Sequence, residues 1–208
     1  VGISVVILEY NGGELLRKAV QSVLGQTTNI DELVILNNGK PNSDLEKLKE
    51  KYPPTRIVQG DNEYQFIGGL NRAFKEIKSG NILFMENDVR LHPQCCSEMY
   101  LEKNWDIVFP KFYDVLGNRY KTSRGTFLTA CFMMNKATFD FIGEFDTNLA
   151  PAYYEDLDYS IRAKRLGFKI KQAGKAIHEA NYSFSKVFSK SQMSGWCQKN
   201  FWYVIRKH

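Results

Sequence analysis

Residues 3–8 read Ile-Ser-Val-Val-Ile-Leu, a nearly continuous β-branched run. A strand of that kind is buried on both faces, so it requires cover above and below its sheet. The cover follows at once. After the turn Glu9-Tyr10-Asn11-Gly12-Gly13, residues 14–24 place Leu15, Leu16, Ala19, Val20 and Val23 at helical spacing. The unit then repeats. Residues 33–36 form a second buried strand stopped by Asn37-Asn38-Gly39, and residues 44–52 a polar helix ended by Pro53-Pro54. A third strand at 56–58, a helix at 66–77 entered through Gly68-Gly69, and a fourth strand at 82–86 complete the series. Alternation of this kind implies right-handed βαβ units and a mostly parallel central sheet flanked by helices, an α/β fold.

Past about residue 110 the pattern loosens. Residues 105–109 suggest another strand, and residues 113–123 a hairpin with Gly117-Asn118 at its tip. Residues 126–134 are apolar, 136–142 a short helix ended by Gly143, and 154–166 a helix stopped by Gly167. Residues 168–177 hold short strand candidates leading to His178. The last stretch, 191–208, is aromatic and basic, with Trp196, Phe201, Trp202, Arg206 and Lys207. It is expected to pack on the core or continue into a further domain; an acceptor platform or a peripheral membrane contact are its other uses.

With 208 residues and neither repeat nor low-complexity linker, the expectation is one domain over 1–208. It divides into a nucleotide-binding half (1–110), an acceptor and catalytic half (111–190) and the tail (191–208). A first residue other than Met leads us to expect a piece of a longer protein, and no basic-then-apolar leader opens the chain. No apolar run approaches the ~20 residues of a membrane-spanning helix. The formal charge of +5 suits an anionic small ligand or a membrane surface and is too weak to argue for nucleic acid. Cys95, Cys96, Cys131 and Cys197 match no zinc spacing, and an adjacent pair is awkward for a disulfide framework. Reduced thiols and a cytoplasmic location are expected.

The chemistry concentrates at strand ends. Residues 81–88, Asn-Ile-Leu-Phe-Met-Glu-Asn-Asp, run from an apolar strand into two carboxylates and an amide. In open α/β sheets ligands bind beyond the carboxyl ends of the strands. A carboxylate there can hold a divalent cation by hard oxygen contacts, and that cation can neutralise a diphosphate. A solvated turn is the plain alternative. A second acidic group, Glu155-Asp156, falls in the first turn of a helix, where free backbone N–H groups favour ionised carboxylates. Asp158 points roughly 160° away around the same helix.

Taken in order, Val5 to Asn11, Leu33 to Lys40, Phe66 to Asn71, Leu83 to Val89, Ile142 to Asp146 and Tyr154 to Arg162, with Gly167 and His178 beyond, resemble a known family. It is family 2 of the glycosyltransferases, with the GT-A fold, nearest its rhamnosyltransferase-like branch. The resemblance spans roughly residues 3–180. It implies a metal-dependent, inverting transfer of rhamnose or glucose from a UDP- or dTDP-sugar donor to a glycan acceptor hydroxyl. By the same resemblance Asp88 is the metal-proximal residue of a DxD-like motif, with Glu86 where the first Asp or Asn of that motif stands. Asn37 takes the nucleobase position, Glu9, Tyr10 and Asn11 cup the base, and Asn71 and Asn87 complete the donor side. Asp156 is the general base and Arg162 a brace for its loop. His178 completes the metal shell or binds the diphosphate, and as a ligand it favours Mn2+ over Mg2+. Two rivals stand beside this reading: a non-catalytic nucleotide-sugar or glycan-binding module of the same fold, and a sugar nucleotidyltransferase.

Overall fold

A computed structural model describes residues 2–208 except 12, 42, 53–54, 79, 121–125 and 180–187. The first half alternates as the sequence implies: β1 (Ile3–Glu9), α1 (Glu14–Leu24), β2 (Ile30–Asn37), α2 (Ser43–Lys51), β3 (Thr55–Gln59), α3 (Gln65–Glu76) and β4 (Asn81–Glu86). The second half holds β5 (Val89–Leu91), α4 (Cys95–Leu101), β6 (Ile107–Tyr113), β7 (Cys131–Asn135), α5 (Lys136–Ile142) and a 3-10 turn at Thr147–Leu149. It closes with α6 (Glu155–Arg165), β8 (Ile170–His178) and α7 (Lys190–Lys207).

The strands form one sheet in the order β3-β2-β1-β4-β7-β6-β8-β5. β1 pairs in parallel with β2 and β4, and β3 with β2. β7 then enters antiparallel between β4 and β6, and β8 runs parallel to β6. Every residue of β1 is buried, as a run without alternation requires. The carboxyl ends of β1, β2, β3 and β4 therefore lie on one edge, in the register Leu8 with Glu86, Glu9 with Asn37 and Asn37 with Gln59.

Between α3, β4, β7 and α5 the core is aromatic. Phe74 stacks on Phe139 at 4.5 Å between ring centroids, and Phe145 on Tyr159 at 4.1 Å. Such pairs contribute about 0.5–1.5 kcal/mol beyond simple burial. Gly69 explains the glycine pair of α3. A Cβ there would stand 2.6 Å from a Leu8 methyl and 2.7 Å from the Asn38 amide, so α3 closes onto β1 only over a bare backbone.

Three expectations need adjustment. The separate short strands of 168–177 are one strand, β8, bent at Gly174, whose φ of 80° suits glycine. The hairpin of 113–123 is a tight turn, bridged from Tyr113 to Arg119 and tied by Asp114, whose carboxylate accepts from the backbone N–H of Leu116 and Asn118; residues 121–125 lie outside the described residues. The tail is mostly the helix α7, opened by a capping box in which Ser189 Oγ accepts from Gln192 N–H and Gln192 Oε1 from Ser189 N–H. No helix among the described residues is long and apolar enough to cross a membrane.

Candidate active site

β4 ends at Glu86, the chain turns through Asn87-Asp88, and β5 runs back antiparallel to β8 with Val89 opposite His178. The Glu179 N–H donates to Asp88 O at 3.0 Å, which locks the two strand ends together. Glu86, Asp88 and His178 thereby meet, each offering one ligand atom within 4.8 Å of the others. His178 is supported by Phe112 and by Tyr120, whose hydroxyl donates to His178 O at 3.2 Å.

The electrostatics of this trio are unfavourable without a cation. Asp88 is 2 % exposed, and its Oδ1 is buried with no hydrogen-bond partner. The nearest imidazole nitrogen, His178 Nε2, is 3.5 Å away, too long for a good hydrogen bond. Burial lifts the Glu86 carboxyl to about 8, and the Asp88 charge adds to it. Burial would lower His178, but Asp88 and Glu86 overcome it and raise the imidazole above its ordinary value. An orphaned carboxylate oxygen beside a second carboxyl and an imidazole fits a divalent cation, and His among the donors suits Mn2+ better than Mg2+.

Glu155 and Asp156 open α6 next to this cluster, close enough for the Glu155 charge to raise Glu86 further. The chain reaches them through a cis Ala150-Pro151 bond and two left-handed residues, Tyr153 and Tyr154, with φ of 78° and 69°. Glu155 is 6 % exposed; its Oε1 accepts from the Thr129 hydroxyl at 2.7 Å while Oε2 has no partner. Burial, then the Asp156 charge, pushes Glu155 up to about 7. Asp156 Oδ1 accepts from the Leu157 N–H at 2.7 Å, yet burial outweighs this and raises the Asp156 carboxyl. The first-turn N–H groups favour the ionised form, as expected, but burial acts more strongly in the other direction. Asp158 is fully buried on another side, and Arg162 bridges it to the carbonyls of Ile142 and Glu144, the bracing role expected of it.

The donor-side residues divide. Tyr10 and Asn11 remain at the surface beyond β1. Asn11 adjoins a cavity of about 560 Å³ lined in part by Glu9, Arg17, Lys47, Lys51 and Tyr52. Glu9 and Asn87 are buried and bonded to each other, Asn87 Nδ2 donating to Glu9 Oε2 at 2.7 Å, so they brace the ends of β1 and β4. Asn37 is fully buried, and both its amide hydrogens are committed, to Gln59 Oε1 at 2.9 Å and Lys40 O at 3.2 Å. It shapes the loop after β2 and offers no free N–H to a base. Asn71 is likewise engaged, donating to Phe145 O at 2.9 Å and accepting from Phe145 N–H at 2.8 Å. It is a strut between α3 and the loop after α5.

Sequence reasoning passed over Gln59, whose amide donates to the carbonyls of Asn37, Gly39 and Gly60 and so shapes the same loop. It also missed Thr129, hidden within an apolar run. A polar residue one step past an apolar strand was the available signal for Gln59; Thr129 carried none. All four cysteines are free, and burial pushes the Cys95 thiol up to about 12, which leaves no reactive thiolate there.

The sheet order and the acidic cluster at its edge define a GT-A-type fold. GalNAc-T7 solved with UDP, GalNAc and Mn2+ matches with a TM-score of 0.76 over 99% of this chain and 48% of that one, at 14% identity. The mannosyltransferase PcManGT of Pyrobaculum calidifontis, in complex with GDP-Man and Mn2+, matches with a TM-score of 0.69 over 85% and 56% at 11% identity. The sequence profile of glycosyl transferase family 2 matches residues 4–156, and the chain belongs to that family. An uncharacterized glycosyltransferase of Haemophilus influenzae is 24% identical over 134 residues, 58% of this chain and 42% of the relative. The uncharacterized glycosyltransferase YibD of Escherichia coli is 27% identical over 111 residues, 50% and 32% of the two. The matches cover less than half the length of either relative.

Proposed function

We propose that this chain is the catalytic domain of a metal-dependent, inverting glycosyltransferase that moves a sugar from a UDP- or dTDP-sugar to a glycan hydroxyl. Rhamnose or glucose is the sugar the branch resemblance favours. The single observation that carries the reading is the buried Asp88 Oδ1, without a hydrogen-bond partner, where it meets Glu86 and His178. Glu86, Asp88 and His178 would hold Mn2+, which when bound offsets the negative charge of a departing nucleoside diphosphate.

The residues of the chain do the rest. Tyr10 and Asn11 flank the base at the end of β1, beside the loop after β2 that Asn37 and Gln59 shape. Asp156 takes the acceptor hydroxyl proton on its free Oδ2 side while Oδ1 stays on the Leu157 N–H. Its raised affinity for protons suits a base that must accept one. The catalytic half at 111–190 and the nucleotide-binding half at 1–110 act as one domain in this reading. The test is release of free nucleoside diphosphate from UDP-glucose and dTDP-rhamnose with Mn2+ and with EDTA. Metal-dependent release supports transfer, pyrophosphate release would point to nucleotidyl transfer, and binding without release to a non-catalytic module.

A further inference from the structure

The family match ends at residue 156, so α7 lies wholly beyond it. Yet α7 is bound to the segment that delivers Asp156. Asn200, in the middle of α7, is fully buried. Its Nδ2 lies 2.7 Å from Leu149 O, 2.9 Å from Ala152 O and 3.1 Å from Tyr153 O, contacts across 47 to 51 residues of sequence. These carbonyls belong to the turn that includes the Ala150-Pro151 bond and ends in left-handed Tyr153 and Tyr154. The turn leaves the 3-10 turn Thr147–Leu149, and α6 begins directly after it with no side-chain cap. One amide group therefore gathers three carbonyls whose directions set the entry angle of α6.

The remainder of α7 makes contacts of its own. Val204 is buried one turn on, and the Phe201 ring lies 5.7 Å from that of Tyr154. At the end of the helix Lys207 reaches both Asp146 and Asp158 at 2.7 Å, and His208 Nε2 reaches Asp158 Oδ1 at 2.8 Å. Asn200 Oδ1 has no partner, so the site keeps a buried amide at the expense of one unmatched oxygen. An apolar side chain of similar volume would avoid that mismatch and lose these three contacts. The amide is there for its N–H groups.

We infer that Asn200 is a positioning residue for the transfer reaction: it fixes the 149–153 turn from α7 and thereby the placement of Asp156. The inference rests on the reading of Asp156 as the base. Small displacements of a reacting group are expensive in rate, about 100-fold for an error near 1 Å. Asn200→Ala is expected to lower kcat about 10- to 100-fold while the donor KM stays within about twofold. Donor hydrolysis serves as the assay, read as nucleoside diphosphate released from UDP-glucose or dTDP-rhamnose with Mn2+.

Val204→Ala is the control, since it loosens the packing of α7 and leaves the Asn200 amide in place. At an equal loss of melting temperature it should keep the wild-type kcat. Backbone hydrogen exchange at 153–157 should quicken in Asn200→Ala and stay near wild type in Val204→Ala. Wild-type kcat and exchange in Asn200→Ala, or equal losses in the control, would overturn the positioning role. Asp156→Asn in the same assay separates the two claims. If it is dead while Asn200→Ala runs at full rate, only the positioning role fails. If it turns over normally, the base reading fails and takes this inference with it.

Discussion

Asp88 and His178 stand 3.5 Å apart at the ends of two strands, β5 and β8, that pair antiparallel, and Asp88 Oδ1 has no hydrogen-bond partner. The pairing of Val89 with His178 fixes that distance, so the cluster is a property of the sheet register. A slip of one residue would turn His178 to the opposite face.

Asp88→Asn is therefore expected to have opposite effects with and without metal. In EDTA it removes a buried carboxylate that lacks a hydrogen bond at Oδ1 and raises the Glu86 carboxyl, at the expense of a long 3.5 Å contact with His178, so the melting temperature should hold or rise. With Mn2+ at about 100 times its dissociation constant, wild type should gain about 2.7 kcal/mol of stability that the variant lacks. Thermal melts in the two conditions check this, and an equal Mn2+ gain in the variant would remove Asp88 from the site.

For the base, Asp156→Asn should lose at least about 100-fold in turnover and bind donor as wild type does. The pH profile supplies an independent sign. Burial raises the Asp156 carboxyl, so the acidic limb of kcat/KM should fall above the ordinary carboxylate value of about 3.9. A limb at or below that value would point to a different base.

Asn71→Ala is predicted to act on stability and not on donor affinity. It leaves the N–H and the carbonyl of Phe145 without partners in a buried setting, at about 1–3 kcal/mol for each group left unsatisfied. Chemical denaturation measures the loss. A weakened donor dissociation constant with unchanged stability would restore Asn71 to the binding site.

Asp146 predicts a stability change in acid. Burial would raise its carboxyl, but Lys207, the Asn148 N–H and the Tyr203 hydroxyl hold it at about 2. A folded pKa below the unfolded one stabilises the fold above the unfolded value, and that contribution is lost as pH falls from about 4 towards about 2. Replacing Lys207 with Met should flatten the pH dependence of the denaturation midpoint across that window. An unchanged slope would mean that Lys207 does not hold Asp146.

What the sequence revealed followed from burial. β1 and β4 were legible because strands covered on both faces are apolar without alternation; the carboxylates after β4 fit a solvated turn equally well, and only the family resemblance singled out Asp88. α7 was not recognised as a helix. Its exposed Phe201, Trp202 and Ile205 and buried Asn200 invert the usual amphipathic pattern, and only the Ser189-Gln192 capping box marked its start. The partners of Asn37 and Asn71 were not legible for a different reason. An amide at a strand end or on a helix can meet a ligand or a backbone, and the choice depends on Gln59 and Phe145, partners 22 and 74 residues away. Only the folded register decides it.

The account turns most directly on calorimetric binding of UDP-glucose and dTDP-rhamnose to the wild-type chain with Mn2+, with Mg2+ and with EDTA. It predicts saturable binding of at least one donor in Mn2+, weaker binding in Mg2+ and none in EDTA. Binding of equal strength in EDTA, or no binding in any condition, would contradict the claim that Glu86, Asp88 and His178 form a metal-dependent donor site.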